Sequence, residues 1–490
     1  MWSDKLPPAR QEQAVADLRR ILPAPCAGAA TSRAPLTGHP SPEQVAHLLR
    51  DCEGFVWLDG ASSRHLFFRN PIAVISSDGV SARVRGPGGA APLPPASLDA
   101  LETALLAWAG PSRAWLAGWI GYEVAGELEH LGFGPGAGSE LPRMHFGLYD
   151  SVLIADPQGG WSLAGTDAWR GNDGSPQAAH HEDELLHRAA AISLPPLDCL
   201  GKLSAGPLRT RTGAQSFEKG VERIVRRIRA GDLFETNLCR RLEAPLRPGM
   251  AWPLYRRMRA LSPAEYGAFL QAAPGGAILS ISPEMFLKVN NGVVESRPIK
   301  GTRRRGRTSE EDRSLMEQLL HSPKDRAELA MVVDVTRNDL SRVCEPGSVQ
   351  VFEHAALLTL PTLHHTYSRL SGRLRRETTA ADLLRAAFPP ASITGAPKIA
   401  AMEAAFAEER IGRGPCMGSI GWISLDGDME LSVAIRTAVV SGGSAVYLAG
   451  CGITADSIPL QELQESQAKA SAFVEALGLH DGEGETKVSG

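Results

Sequence analysis

The chain has 490 residues, with 51 lysines and arginines against 55 aspartates and glutamates, and a formal net charge of −4. This slight acid excess, together with 43% hydrophobic residues, is ordinary for a globular protein and argues against one built mainly to coat nucleic acid. No apolar run approaches the span of a bilayer, and the first residues lack the apolar stretch of a signal peptide, so we expect a cytoplasmic protein without membrane contact.

Composition divides the chain into three predicted segments. Residues 1–45 are rich in alanine and proline, and we expect them to be loosely ordered. An N-terminal subdomain is expected over residues 46–200, and the polar stretch 170–184, punctuated by glycine and proline, marks its candidate boundary. Residues 201–480 carry denser signals and form the third segment. The seven cysteines are scattered without a Cys-x-x-Cys pair, which predicts reduced thiols.

Few strong signals occur in the N-terminal half. Residues 54–60 begin like a strand, and residues 85–97 predict a loop because glycine and proline recur there. Residues 114–129 are apolar and then become amphipathic. In the second half, an apolar stripe at helical spacing over residues 216–231 predicts a helix that Gly231 ends.

The elements that follow do not alternate regularly. Residues 277–289 and 292–299 read as neighbouring strands, and Ser322 before Pro323 predicts the cap and first position of a helix. Residues 444–457 read as a strand that runs into a glycine turn. A last helix is expected to end at Gly478. This order favours an α+β fold over a doubly wound sheet.

Two pairs of carboxylates have the spacing of one helix face. Asp325 and Glu328 are three residues apart, as are Glu462 and Glu465. Two such helices could together hold Mg²⁺, which prefers hard oxygen ligands. Either pair alone is more typical of a solvated acidic surface, since spaced acids are common on exposed helices.

Three stretches have the residue types that bind anions. The turn "ITGAPK" (393–398) can face a carboxylate with its backbone N–H groups, and "AGCGIT" (449–454) is predicted to form a second glycine turn. Arg436, at a predicted strand end, can hold a carboxylate through two hydrogen bonds. Each stretch alone is more typical of a plain structural turn.

Lys300 lies in the turn "PIKGT" and could act as a nucleophile if it lost its proton. Nearby Arg297, Arg303 and Arg304 are expected to disfavour its ammonium form. Glu284, on the preceding strand signal, could donate a proton if desolvated. A solvated basic loop, neutralised by the acids that follow, and an anion or nucleic-acid patch remain alternatives at this point.

Ten motifs, in order, resemble those of the chorismate-utilising enzymes. The family includes anthranilate, aminodeoxychorismate, isochorismate and salicylate synthases. The matching motifs cover most of residues 205–475: GDLFETNLCRR, SPEMF, RPIKGT, KDRAELAMVVDVTRND, HHTYSRLSG, FPPASITGAPKIAAME, GSIGW, AIRT, AGCGITADS and ELQESQAKA. The resemblance implies a two-layer antiparallel β sandwich flanked by helices, with the active site in a central cleft. It makes residues 201–480 the catalytic, chorismate-binding domain.

The residue at position 300 implies a particular chemistry within this family. Anthranilate synthases have Pro-Ile-Ala-Gly-Thr at this turn, whereas aminodeoxychorismate synthases have Pro-Ile-Lys-Gly-Thr, as here. The family mechanism gives this lysine a covalent role at C2 of chorismate, after which ammonia enters at C4. The implied product serves p-aminobenzoate and folate synthesis or a related secondary metabolite. An anthranilate-forming or isochorismate-forming enzyme is the close alternative.

The resemblance also implies roles for other residues. Glu284 matches the general acid, and His365 a histidine that assists near the leaving hydroxyl. The implied Mg²⁺ ligands are Glu328 and Glu465, with Glu462 nearby. Expected contacts to substrate carboxylates come from seven residues: Gly395, Ala396, Lys398, Arg436, Gly450, Gly452 and Lys469.

The sequence departs from the family pattern at three places. Glu235 stands where amine-adding members usually carry Gln and water-adding members a lysine base, and Cys416 replaces a common Tyr. The stretch "FPPAS" replaces Pro-Gly-Gly-Ser. These changes leave a catalytically silent relative as a further alternative. Nothing in the sequence resembles a glutamine amidotransferase, so a separate glutaminase subunit is expected to deliver ammonia.

Overall fold

The computed structural model describes residues 8–22, 31–60, 64–108, 114–129, 131, 141–166, 176–210, 212–273, 276–360, 363–479 and 486–487. The strands are β1 (Thr31–Leu36), β2 (Val56–Asp59), β3 (His65–Phe68), β4 (Ala73–Ser77), β5 (Ala82–Gly86), β6 (Gly89–Leu93), β7 (Trp115–Ile120), β8 (Met144–Tyr149), β9 (Ser151–Ala155), β10 (Trp161–Thr166), β11 (Arg209–Thr210), β12 (Glu235–Pro245), β13 (Tyr266–Ala273), β14 (Gly276–Ser282), β15 (Met285–Asn290), β16 (Val293–Arg297), β17 (Ile299–Arg304), β18 (Gln350–Thr359), β19 (Leu363–Arg373), β20 (Gly395–Ala396), β21 (Ser419–Ser424), β22 (Met429–Val433), β23 (Thr437–Ser441), β24 (Ser444–Ile453) and β25 (Thr486–Lys487). The α-helices are α1 (Pro8–Ile21), α2 (Pro42–Leu49), α3 (Ser97–Trp108), α4 (Val124–Leu128), α5 (Pro176–Ala190), α6 (Ala214–Arg229), α7 (Ala251–Leu261), α8 (Ser309–Leu320), α9 (Pro323–Ser341), α10 (Ala380–Ala387), α11 (Lys398–Glu409) and α12 (Pro459–Ala476).

The strands form two large sheets. The first has the order β1-β10-β9-β3-β2-β13-β14-β23-β24-β12-β11-β25, with β20 also paired to β12. The second has the order β17-β19-β16-β15-β22-β21-β7-β8-β4-β5-β6, with β18 also paired to β19. All described strand pairs are antiparallel except β11 with β25. The predicted α+β fold with antiparallel sheets is confirmed.

A shared apolar core joins the two sheets. It contains Ile278 and Leu448 from the first sheet and Leu287 and Leu431 from the second, all at most 2% exposed. A second core lies on the other face of the first sheet, where α7 and α12 pack against it. Because each sheet buries one face against the other, inward residues of the two sheets can meet in one site.

Both sheets draw strands from both halves of the sequence. In the first sheet β2 pairs with β13, with Phe269 opposite Trp57. In the second sheet β7 pairs with β21 along six residue pairs. The segment before residue 46, expected to be loosely ordered, contains α1 and β1. The division of the chain at residues 45 and 200 stays a prediction, and residues 170–175 of the candidate boundary lie outside the described part.

Several local predictions are confirmed, and two are wrong. Helix α6 buries Phe217 and Val221, and Gly231 follows it with φ +88°. The Ser322 hydroxyl accepts the Asp325 N–H at 3.2 Å, as a helix cap does. Residues 85–97, expected to be a loop, instead complete the hairpin of β5 and β6. The expected glycine turn at 449–454 is the end of strand β24, for the steric reason given below.

Neither a membrane helix nor a disulfide is found where the structure describes the chain. No helix there is both long and apolar enough to span a bilayer. The cysteines described are all free thiols.

Candidate active site

Lys300 lies at the meeting point of the two sheets. It belongs to β17 of the second sheet, and its Nζ donates a hydrogen bond to Glu235 Oε1 at the start of β12 in the first sheet. The two side chains are only 11% and 2% exposed. Lys300 is therefore part of a buried polar site between the sheets, and the solvated-loop interpretation is wrong for it.

The basic run around Lys300 is neutralised locally. Each arginine of the expected cluster forms its own ion pair: Arg297 with Glu265, Arg303 with Asp325 at 2.9 Å, and Arg304 with Glu311. Burial lowers the pKa of Lys300, but the carboxylates of Glu235 and Glu328 outweigh burial and hold that pKa above its ordinary value. The expectation that the arginines favour a neutral Lys300 is therefore wrong.

Glycines make room for the contact between Lys300 and Glu235. A Cβ on Gly452 would lie 2.6 Å from Glu235 Oε1 and 3.1 Å from Lys300 Nζ. Gly395 has φ +136°, and its Cβ would lie 2.0 Å from the carbonyl oxygen of Glu235. Both positions therefore require glycine in this arrangement. This is why the glycines of β24 lie within a strand: the strand backbone passes directly beside the buried side chains.

The predicted metal acids converge from two helices. Glu328 is on α9, and Glu462 and Glu465 are on α12. Single ligand atoms of Glu462, Glu465 and Cys451 lie within 4.8 Å of one another. Lys324 Nζ lies 3.8 Å from Glu328 Oε1 and 3.9 Å from Glu462 Oε1. The Lys324 ammonium is therefore close to acids of both helices.

The chemistry of these donors suits a hard cation. Burial raises the pKa of Glu328 to about 7, against the opposing charge of Lys300. Burial likewise raises the pKa of Glu462, although the Ser457 hydroxyl donates to it at 2.7 Å. Burial also raises the pKa of the Cys451 thiol to about 12, so the soft thiolate is disfavoured. Crowded carboxylates without a thiolate fit an oxygen-preferring cation such as Mg²⁺.

Glu284 is placed to act as a proton donor. It lies between β14 and β15, is 3% exposed, and accepts the Ile299 N–H at 3.4 Å. Burial raises its pKa to about 7, against the Ser392 hydroxyl, the Ile299 N–H and Lys300. A cavity of about 10 Å³, close to the space of one water, adjoins it. Glu284 can therefore hold a proton near neutral pH.

His365 and Arg436 form a second polar group close to Lys469. Burial and the charge of Arg436 lower the pKa of His365 to about 3, so its imidazole is neutral. Its Nδ1 lies 2.9 Å from Thr302 Oγ1, and its buried Nε2 has no hydrogen-bond partner among the described residues. Arg436 forms no ion pair within the described ranges, and burial lowers its pKa. A part-buried guanidinium of this kind suits an anionic ligand.

The remaining predicted contacts fall into three places. Gly395 and Ala396 form β20, which pairs with the start of β12 beside Glu235. Lys469 Nζ donates to the carbonyl oxygen of Gly450 at 2.9 Å. Lys398 instead donates to Asp339 Oδ2 at 2.7 Å, so its charge is already bound, and its role in binding substrate stays a prediction.

Comparison with known proteins decides the family. A family model described as chorismate binding enzyme matches residues 53–475. The chain belongs to the chorismate binding enzyme family.

Individual relatives of this chorismate binding enzyme carry two kinds of name. Aminodeoxychorismate synthase component 1 of Klebsiella aerogenes is 37% identical over 360 residues, which cover 74% of this chain and 76% of the relative. An anthranilate synthase component 1, numbered 3, of Haloarcula marismortui is 36% identical over 372 residues, covering 74% and 72%. The crystal structure of anthranilate synthase component I from Streptococcus pneumoniae TIGR4 is 30% identical, with a TM-score of 0.71, over 84% of this chain and 92% of that one.

Two residues of this site, Glu235 and Lys324, were not assigned to it from the sequence. Glu235 was noted only as a departure from the family pattern, and its contact with Lys300 joins residues 65 apart. Lys324 precedes Glu328 by one helical turn, and this spacing could have predicted that its ammonium lies beside the acids.

Cys416, which replaces a common tyrosine, is a buried thiol. Its Sγ donates to the Thr437 carbonyl oxygen at 3.3 Å, and burial raises its pKa to about 12. It lines a cavity of about 200 Å³ that also contains Arg241 and Leu448. The smaller cysteine leaves this cavity unfilled, and a tyrosine side chain at position 416 would have this volume beside it.

Proposed function

We propose that this protein aminates chorismate at C4, giving 4-amino-4-deoxychorismate for p-aminobenzoate and folate synthesis or a related secondary metabolite. The observation that carries the proposal is the position of Lys300, whose amine projects into the buried site between the sheets. Relatives such as the Klebsiella aerogenes protein, named aminodeoxychorismate synthase component 1, support the same product.

Lys300 supplies the nucleophile in this proposal. Its amine forms a bond to C2 of chorismate while the ring double bond shifts and the C4 hydroxyl leaves. Ammonia then attacks C4, the double bond shifts back, and the lysine amine is expelled from C2. Splitting the substitution into two displacements in this way is typical of covalent catalysis.

Glu284 supplies the proton that the leaving hydroxyl needs. Its pKa of about 7 keeps a large share of the carboxyl protonated at neutral pH. After donating, Glu284 is a carboxylate that can recover a proton from the amine newly bound at C4. Neutral His365 stands near this reaction as a hydrogen-bonding group that carries no charge.

The acids on α9 and α12 would hold Mg²⁺. Glu328 and Glu465 are the proposed ligands, with Glu462 beside them. When bound, Mg²⁺ would neutralise the ring carboxylate and act as a Lewis-acid template. Arg436, a part-buried residue that forms no ion pair with any described residue, would hold a substrate carboxylate on its own side of the site.

Ammonia would come from a separate glutamine amidotransferase subunit. The name "component 1" of the relatives supports a partner component. We expect the purified chain to use ammonium salts and to leave glutamine intact. Hydrolysis of glutamine by the chain alone would contradict this expectation.

A product assay tests the proposal. The pure chain is mixed with chorismate, Mg²⁺ and ammonium at mildly alkaline pH, and the products are separated against authentic standards. We expect aminodeoxychorismate, and we expect Lys300→Ala to abolish it. Anthranilate or isochorismate as the product would overturn the proposal, and no turnover at all would favour a catalytically silent relative.

A further inference from the structure

We propose that Glu235 is the base that takes a proton from Lys300 Nζ before this amine attacks chorismate, and that returns the proton when the amine leaves. This inference rests on the proposed function, because it assigns a second catalytic residue to the same reaction. It concerns one of the three places at which the sequence departs from the family pattern.

The geometry supports a direct proton transfer. Glu235 Oε1 accepts a hydrogen bond from Lys300 Nζ, and it is the one side-chain acceptor that Nζ contacts within the described residues. Glu235 Oε2 is buried and has no hydrogen-bond partner there. With 2% exposure, this carboxylate is shielded from bulk solvent, which favours transfer of the proton within the site.

Lys300 needs such a base because only a neutral amine is nucleophilic. Its surroundings favour the ammonium form, so a proton must be removed at each turnover. Besides Glu235, four charged groups face Lys300. They are Glu284 between β14 and β15, Glu328 on α9, and Glu465 and Lys469 on α12. None of these four forms a hydrogen bond with Lys300 Nζ in the described part of the chain, so Glu235 is the group in position.

The proton and the electron pairs balance over the cycle. Lys300 gives one proton to Glu235, and its lone pair forms the bond to C2 as the C4–O bond breaks. The hydroxyl leaves with the Glu284 proton as water. Ammonia then forms the C4–N bond, the C2–N bond breaks, and the electron pair returns to Lys300. Glu235 returns its proton to Lys300, and the C4 ammonium gives one to Glu284.

The test isolates the first half of the cycle. Without ammonium, the chain is mixed with chorismate and Mg²⁺, and intact mass spectrometry follows an adduct of chorismate less one water. Lys300→Ala must give no adduct. We expect Glu235→Gln, which keeps the shape but not the basicity, to form the adduct about 100-fold more slowly, within the range of a positioned base.

Three further readouts separate catalysis from structure. Glu235→Asp, which retains a carboxylate, should recover part of the rate. Glu243→Gln, the same change at a part-buried site farther along β12, should keep the wild-type rate. In Glu235→Gln the proton must leave to solvent, so the ratio of its rate to the wild-type rate should rise from roughly pH 7 to 9, because the fall that Glu284 imposes is common to both. Thermal unfolding of each variant checks that it is folded.

The opposite result has a clear physical meaning. Removing the Glu235 charge also removes an attraction that keeps Lys300 protonated. If Glu235 only held Lys300 in its charged form, Glu235→Gln would form the adduct as fast as the wild type or faster, which would overturn this inference. If the wild-type chain with ammonium makes no aminodeoxychorismate, the proposed function itself fails, so the two failures are distinct.

Discussion

The Lys324 ammonium lies beside the acids that are expected to bind a metal cation. Its ammonium lies 3.8 Å from Glu328 Oε1 and 3.9 Å from Glu462 Oε1, on the helix that also carries Glu328. A divalent ion entering between these acids must displace or repel this ammonium. We therefore predict that Lys324→Met strengthens the binding of Mg²⁺.

The size of the effect follows from the exposure of Lys324. The side chain is 51% exposed, so each of its attractions is worth at most about 1 kcal/mol, as in other exposed ion pairs. Two such contacts of about 0.5 kcal/mol each give about 1 kcal/mol in total. This corresponds to about a five-fold tighter dissociation constant for Mg²⁺.

Calorimetric titration with Mg²⁺ in the absence of chorismate measures this constant without any turnover. Lys288→Met is the matched control. The Lys288 side chain is 43% exposed and forms an ion pair with Glu430 at 3.4 Å, and neither residue belongs to the candidate metal site. Glu328→Gln should weaken binding. Unchanged or weaker Mg²⁺ binding in Lys324→Met would refute the reasoning that this ammonium competes with the metal.

Three more outcomes are expected. Gly452→Ala should abolish adduct formation and lower the midpoint of thermal unfolding, because its Cβ would lie 2.6 Å from Glu235 Oε1; a wild-type rate would show that the site can adjust. Arg436→Met should raise KM for chorismate by at least about 30-fold, from the loss of roughly 2 kcal/mol or more of a buried charged contact, and should raise thermal stability; an unchanged KM would exclude Arg436 from binding. Because the protonated form of Glu284 is the active acid, and burial raises its pKa to about 7, kcat should fall as pH rises through this value; Glu284→Gln should remove that limb together with most activity, and a profile that rises there would contradict the assignment.

Local signals carried the sequence-based prediction of the helices. The cap at Ser322 and the stops at Gly231 and Gly478 depend on neighbours within a few residues, and the structure has all three helices at these positions. The hairpin of β5 and β6 was missed because its glycines and prolines are typical of loops. Its pairing with β4 depends on contacts that those residues do not encode locally.

The candidate site was predictable only where its members share an element. The spacing of Glu462 and Glu465 already placed both on one helix face, and the structure keeps them together. The charge state of Lys300 could not be predicted, because the partners that neutralise its arginine neighbours include Glu265, which is distant in sequence. The contact with Glu235 depends on how two sheets pack, and no local pattern encodes it.

The sharing of both sheets between the two halves has a consequence for fragments of this protein. A piece beginning after residue 200 would expose the open edges of β13 and β21, because β2 and β7 would be absent. Long unpaired edges of this kind associate with other chains. Neither half should therefore fold in isolation, whereas the two halves made together in one cell should complement each other, each serving as the template on which the other completes its sheets.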